Sequence, residues 1–127
     1  MTVTALVIED EPATLDLIVG YLSRAGNRVI GCTTLAEAER ALLEQRPDVV
    51  ISDVGLPDGN GAAFCMKYAT RVPHTKWLLM SGQTDMLRQS RSLRKSPDAP
   101  PFSVFDKPVS MRALDDFIRL ATLMRVA

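Results

Sequence analysis

Five short apolar runs punctuate the chain, at Ala5 to Ile8, Arg28 to Cys32, Val49 to Ser52, Trp77 to Met80 and Ser103 to Phe105. Each is too short for a helix. Within the third and fourth runs the apolar residues are successive rather than alternate, the pattern of strands covered on both faces in a parallel sheet. The stretches between them change to a helical period. Leu15, Ile18, Val19 and Leu22 fall on one helical face after Pro12, which suits a first helical turn. Thr34 and Glu37 have capping-box spacing and open a second helix with Leu35, Ala38, Ala41 and Leu42 on one face, which Pro47 forbids to continue. A third helix is predicted from about Ala62 to Thr70, pairing Phe64 with Tyr68, and a last one capped by Ser110 carries Leu114, Phe117, Ile118 and Ala121. A further helix over Thr84 to Lys95 would bury only Met86, Leu87 and Leu93, and the proline-rich loop Ser96 to Pro101 follows it. Five strands alternating with about five helices require right-handed crossovers, hence an α/β, three-layer doubly wound fold around one five-stranded parallel sheet.

Length and composition narrow the picture. The 127 residues carry 15 Lys+Arg against 15 Asp+Glu, the balance of a single ordinary domain and not that of a nucleic-acid binder. The N-terminus has no charged leader and its first apolar run stops at Glu9, so neither a signal peptide nor a membrane span is expected, and a cytoplasmic location is. Cys32 and Cys65 lie in apolar stretches without a His or second Cys at ligand spacing, as reduced core thiols do. His74 falls in a loop before the fourth strand and Trp77 begins that strand, readings that give the first exposure and the second packing.

In open sheets of this kind ligands sit beyond the carboxyl ends of the strands. Those ends are chemically alike here: Glu9-Asp10-Glu11 after the first strand, Asp53 after the third, Ser81-Gly82 after the fourth and Asp106-Lys107-Pro108 after the fifth. Crowded carboxylates raise one another's pKa unless a hard cation lies between them, and Mg²⁺, which takes one or two carboxylates and keeps several waters, suits Asp10 and Asp53 with Glu9 nearby. An Asp beside Mg²⁺ can attack a phosphoryl group whose equatorial oxygens are neutralised by the metal, a Lys and a hydroxyl. Asp53 is the candidate nucleophile, with Lys107 as the countercharge and Ser81 as the donor.

The ordered set Glu9-Asp10, Asp53, Ser81 and Lys107-Pro108, together with Asp53-Val54-Gly55-Leu56-Pro57-Asp58-Gly59-Asn60-Gly61, resembles the receiver domain of bacterial two-component response regulators over essentially the whole chain. The resemblance implies a flavodoxin-like strand order 2-1-3-4-5, an order for which a chemotaxis receiver is a known example. It implies that Asp53 accepts phosphate from a histidine kinase or histidine phosphotransfer protein. Mg²⁺ would be held by Asp10, Asp53 and the Gly55 backbone carbonyl, with Glu9 acting through water. Ser81 and Lys107 would contact the phosphoryl oxygens, a cis bond would precede Pro108, and Gln83 would orient a hydrolytic water. The product would be a phosphoacceptor switch rather than an enzyme, with Mg²⁺-dependent self-phosphorylation and slow self-dephosphorylation. Its output would pass to a downstream protein through the face of the fourth helix, fifth strand and last helix.

The switch-associated positions would be Ser81, Val104 and Phe105, and here the chain departs from the family. The position three before the Lys, normally aromatic, is Val104, and Phe105 falls by strand alternation on the opposite face, as a core residue would. The segment from Ser81 to Lys107 is also unusual, carrying Pro97, Pro100 and Pro101, and its reorganisation on phosphorylation is expected. Arg88, Arg91 and Lys95 stand at helical spacing there, as a solvated basic face or a docking stripe for an acidic partner. A haloacid dehalogenase-type phosphatase would need an Asp where Gly55 stands, and a phosphate-cradling glycine loop is missing after the first strand. The remaining alternative is a receiver-like module that binds its partner without phosphorylation. The last helix leaves no room for an output domain within these 127 residues, so the expectation is one receiver domain.

Overall fold

The computed structural model describes residues 2–82 and 101–126, with side chains as far as Leu123. The predicted fourth helix, its basic stripe of Arg88, Arg91 and Lys95, and Gln83 lie outside the described residues. The described chain runs β1 (Thr4–Ile8), α1 (Pro12–Arg24), β2 (Arg28–Cys32), α2 (Leu35–Gln45), β3 (Val49–Asp53), β4 (Gly55–Leu56), β5 (Gly59–Asn60), α3 (Gly61–Tyr68), β6 (Lys76–Ser81), β7 (Phe102–Asp106) and α4 (Met111–Val126). Five strands form one parallel sheet in the order β2-β1-β3-β6-β7, which is the predicted 2-1-3-4-5 order once the small antiparallel hairpin β4–β5 is set aside.

Strand alternation divides the core in two. Leu6, Ile8, Val50, Trp77, Leu79 and Phe102 face α2 and α3, while Ala5, Val7, Val49, Ile51, Leu78 and Met80 face α1 and α4. This is why the central strands read as continuous apolar runs: β1, β3 and β6 are sealed by helices on both sides. Cys32 and Cys65 are free and buried, and burial pushes their thiols up to about 11 and about 12, so both act as core side chains. Trp77 is buried edge-on to Phe64, and His74 is exposed in the loop before β6.

The helix starts follow their caps. Pro12 opens α1, the Thr34 hydroxyl accepts from the Glu37 N–H at α2, and the Ser110 hydroxyl accepts from the Ala113 N–H at α4. Helix α3 starts one residue earlier than expected because Asn60 caps it, its side-chain oxygen accepting from Ala62 and Ala63 N–H. It also stops earlier, at Tyr68, where the backbone tightens into turns through Arg71 and Val72. Among the described residues no helix is long and apolar enough to cross a membrane.

Candidate functional site

Register brings the acids together. Ile8 of β1 pairs with Ser52 of β3, so the next residues, Glu9 and Asp53, leave the sheet side by side. A further backbone bond from Glu9 N–H to the Cys32 carbonyl, 3.0 Å, holds Glu9 in line with β1. On the other side Asp53 pairs with Met80, which sets Ser81 one step beyond it, and the Lys107 N–H donates to the Ser81 carbonyl at 2.9 Å. The Lys107–Pro108 bond is cis, as the resemblance implies.

Carboxylate oxygens of Glu9, Asp10 and Asp53 lie within 4.8 Å of one another, with Glu9 and Asp53 buried and Asp10 exposed. The Lys107 ammonium stands 2.6 Å from Asp53 Oδ1 and 3.5 Å from Glu9 Oε2. Three carboxylates against one ammonium leave two formal negative charges when all are ionised. Burial first, and then the neighbouring Glu9 carboxyl, push the Asp53 carboxyl up to about 7 against the pull of Lys107. Partial burial alone would lower Lys107, yet the Asp53 and Glu9 carboxylates together hold its ammonium above the usual range. The Lys107 ammonium is thus the close partner of buried Asp53 Oδ1. An all-oxygen cluster of three carboxylates served by a single ammonium fits a hard divalent cation.

The surroundings of Asp53 are rigid. The Ser52 hydroxyl donates to the Asp53 carbonyl at 2.8 Å, Val54 N–H bonds the Met80 carbonyl, and Gly61 N–H bonds the Val54 carbonyl at 2.7 Å. Gly61 lets the start of α3 pass over the strand end, because a Cβ there would be driven into the Asp53 carbonyl oxygen. Beside Lys107 a cleft of about 400 Å³ opens between α1 and α4, lined by Thr14, Ile18, Met80, Pro108, Val109 and Met111.

Glu9, Asp10, Asp53 and Lys107 are thus gathered at one place. Ser81 ends its strand at the same edge, and Gly55 begins the β4–β5 hairpin directly after Val54. Val104 and Phe105 lie further back in β7: Val104 packs toward α2 and α3, and Phe105 packs on the other side, edge-on to Phe117 with centroids 6.5 Å apart. Asn60 and Asp58, which anchor the loop after Asp53, were not singled out by the sequence reading. Asn before Gly-Ala is a recognisable helix cap, whereas the partners of Asp58 are remote in the chain.

The profile of the response regulator receiver domain matches residues 5–119. The chain belongs to this family. The receiver is 30% identical over 115 residues to the probable transcriptional regulatory protein TcrX of Mycobacterium tuberculosis, covering 88% of this chain and 49% of TcrX. It is 31% identical over 114 residues to the transcriptional regulatory protein AfsQ1 of Streptomyces coelicolor, covering 90% of this chain and 48% of AfsQ1. The chain therefore spans about half the length of these curated relatives or less. Among solved structures, the response regulator receiver domain protein from Clostridium thermocellum superposes with a TM-score of 0.84 at 26% identity, covering 97% of this chain and 96% of that one. Receivers of this family are signalling switches with an acidic Mg²⁺ pocket, served by kinases or phosphotransfer proteins, and the gathered acids of this chain lie where such a pocket is expected.

Proposed function

We propose that this receiver is a phosphorylation-dependent switch of a two-component or phosphorelay system, in which Asp53 accepts the phosphoryl group of a phosphohistidine. The observation that carries the reading is the buried Asp53 at a strand end, with Lys107 at 2.6 Å and two further carboxylates beside it. An Asp53 carboxylate oxygen forms the new O–P bond, the N–P bond of the donor breaks, and its electron pair stays on the imidazole, leaving an acyl phosphate on the chain. Asp10, Asp53 and the Gly55 carbonyl would hold Mg²⁺, with Glu9 acting through water. Bound there, the ion would offset carboxylate repulsion and the charge on the phosphoryl oxygens. Lys107 exchanges its Asp53 partner for a phosphoryl oxygen, and the Ser81 hydroxyl donates to another, which draws the end of β6 inward. The balanced charge of the chain supports a protein as downstream partner rather than nucleic acid.

Val104 favours a second reading. It is already packed against the α2 and α3 side, at a position where the family usually has an aromatic residue, so a partner could engage this receiver without phosphorylation. Incubation with Mg²⁺ and a small acyl phosphate, followed by intact-mass measurement, separates the two. The switch predicts one added phosphoryl mass on the wild-type chain and none on Asp53→Asn. No added mass on either sinks the switch and leaves the binding module.

A further inference from the structure

We infer that Asp58 is a positioning residue for the metal-binding edge: by gripping the first turn of α2 it pins the β4–β5 hairpin, and Gly55 with it, against Asp53. The inference rests on the proposed reading of Asp10, Asp53 and Gly55 as Mg²⁺ ligands. Two strands of two residues each, containing Gly55 and Gly59 and joined through Pro57-Asp58, cannot hold their own shape. The base of the hairpin is fixed by the Val54 and Gly61 backbone bonds and by Asn60 at the head of α3. Its tip is fixed by Asp58. Asp58 Oδ1 accepts from Leu35 N–H at 2.8 Å and Oδ2 from Ala36 N–H at 3.0 Å.

The start of α2 is capped from two parts of the chain. The hydroxyl of Thr34, which caps α2, accepts from the Glu37 N–H at 3.2 Å and donates to the Glu37 carboxylate, and the first two amides of the helix are left without an intrahelical acceptor. Asp58 supplies both acceptors from a different part of the chain. Those amides hold its carboxyl below the usual range, so it stays ionised and keeps both bonds. Apolar contact reinforces the grip: Leu35 and Leu56 pack against the same core cluster, and Gly59, at φ +154°, passes so close that a Cβ would stand 2.9 Å from Leu35 Cδ1. Mg²⁺ demands near-ideal octahedral placement of its ligands, so a carbonyl on a hairpin freed at its tip would ligate poorly.

The test is Mg²⁺ affinity of the full chain by titration calorimetry, with amide hydrogen exchange in the hairpin as a second readout. Asp58→Ala is expected to weaken Mg²⁺ by about tenfold, the range for residues that orient metal ligands, and to speed exchange at Asn60. Asp58→Asn, which keeps one acceptor oxygen, falls between. Thr34→Ala removes the helix's own cap at the same turn and leaves the hairpin grip, so its affinity stays within about twofold of wild type. If both Asp58 variants bind as the wild type does, or Thr34→Ala weakens binding as much as they do, the positioning role is overturned. A wild-type chain that takes up no Mg²⁺ overturns the metal reading itself.

Discussion

Asp48 and Asp53 bracket β3, one just before the strand and one at its end, in surroundings that differ in kind. At the Asp48 end each of the following polar groups has a partner. Asp48 Oδ2 accepts from Thr4 N–H at 2.9 Å, the Asp48 N–H bonds the Thr4 carbonyl, its own carbonyl accepts from Lys76 N–H, and the buried Thr75 hydroxyl donates to the Pro47 carbonyl. At the Asp53 end three carboxylates crowd together, and a single ammonium faces two of them. The first end closes the sheet. The second holds unresolved charge in a rigid frame, an arrangement that costs stability and is useful only where another charged group is to be bound.

The sharpest way to break this contrast is at Gly61. Gly61→Ala forces α3 off the Asp53 carbonyl, and urea unfolding should show a loss of about 2–4 kcal/mol, with phosphoryl labelling of Asp53 falling as well. A loss under about 0.5 kcal/mol, within the range of ordinary surface substitutions, would mean that the close approach is not needed.

A smaller effect comes from pH. The Asp53 carboxyl titrates near 7 in the folded chain and near its ordinary acidic value when unfolded, so the folded state binds more protons between about pH 4 and 7. Stability from this group is therefore greatest at the acid side of that window and is lost as pH rises towards 7. The expected loss is about 1–2 kcal/mol. Unfolding at pH 5 and 7.5 in chelator, wild type against Asp53→Asn, should show the slope only in the wild type. A parallel slope in both chains would assign it to other groups.

The smallest effect is expected at the quiet end. Asp48→Ala removes the acceptor of the Thr4 amide and should cost about 1 kcal/mol or somewhat more while labelling of Asp53 stays unchanged. A large drop in labelling would show that the two ends are not separable.

Much of the fold could be read from the chain because burial on both faces leaves a clear mark: β1, β3 and β6 each carry at least three successive apolar residues, and Pro12, Thr34 and Ser110 are local start signals for helices. Glu9, Asp10, Asp53 and Lys107 were legible as strand ends, and the resemblance supplied their roles. What escaped were features without local periodicity. The β4–β5 hairpin is too short to show alternation, and the grip of Asp58 on α2 joins residues more than twenty positions apart. The early start of α3 was missed although Asn60 is a good cap, because the apolar pattern begins only after Gly61.

The most direct test is a Mg²⁺ titration followed through backbone amide shifts of the whole chain. Saturable shifts confined to residues 9–11, 53–55, 81–82 and 107, with Thr4, Asp48 and Thr75 unmoved, are the result predicted for a cation site at one end of β3. No saturation, or equal shifts at both ends of the strand, would contradict it.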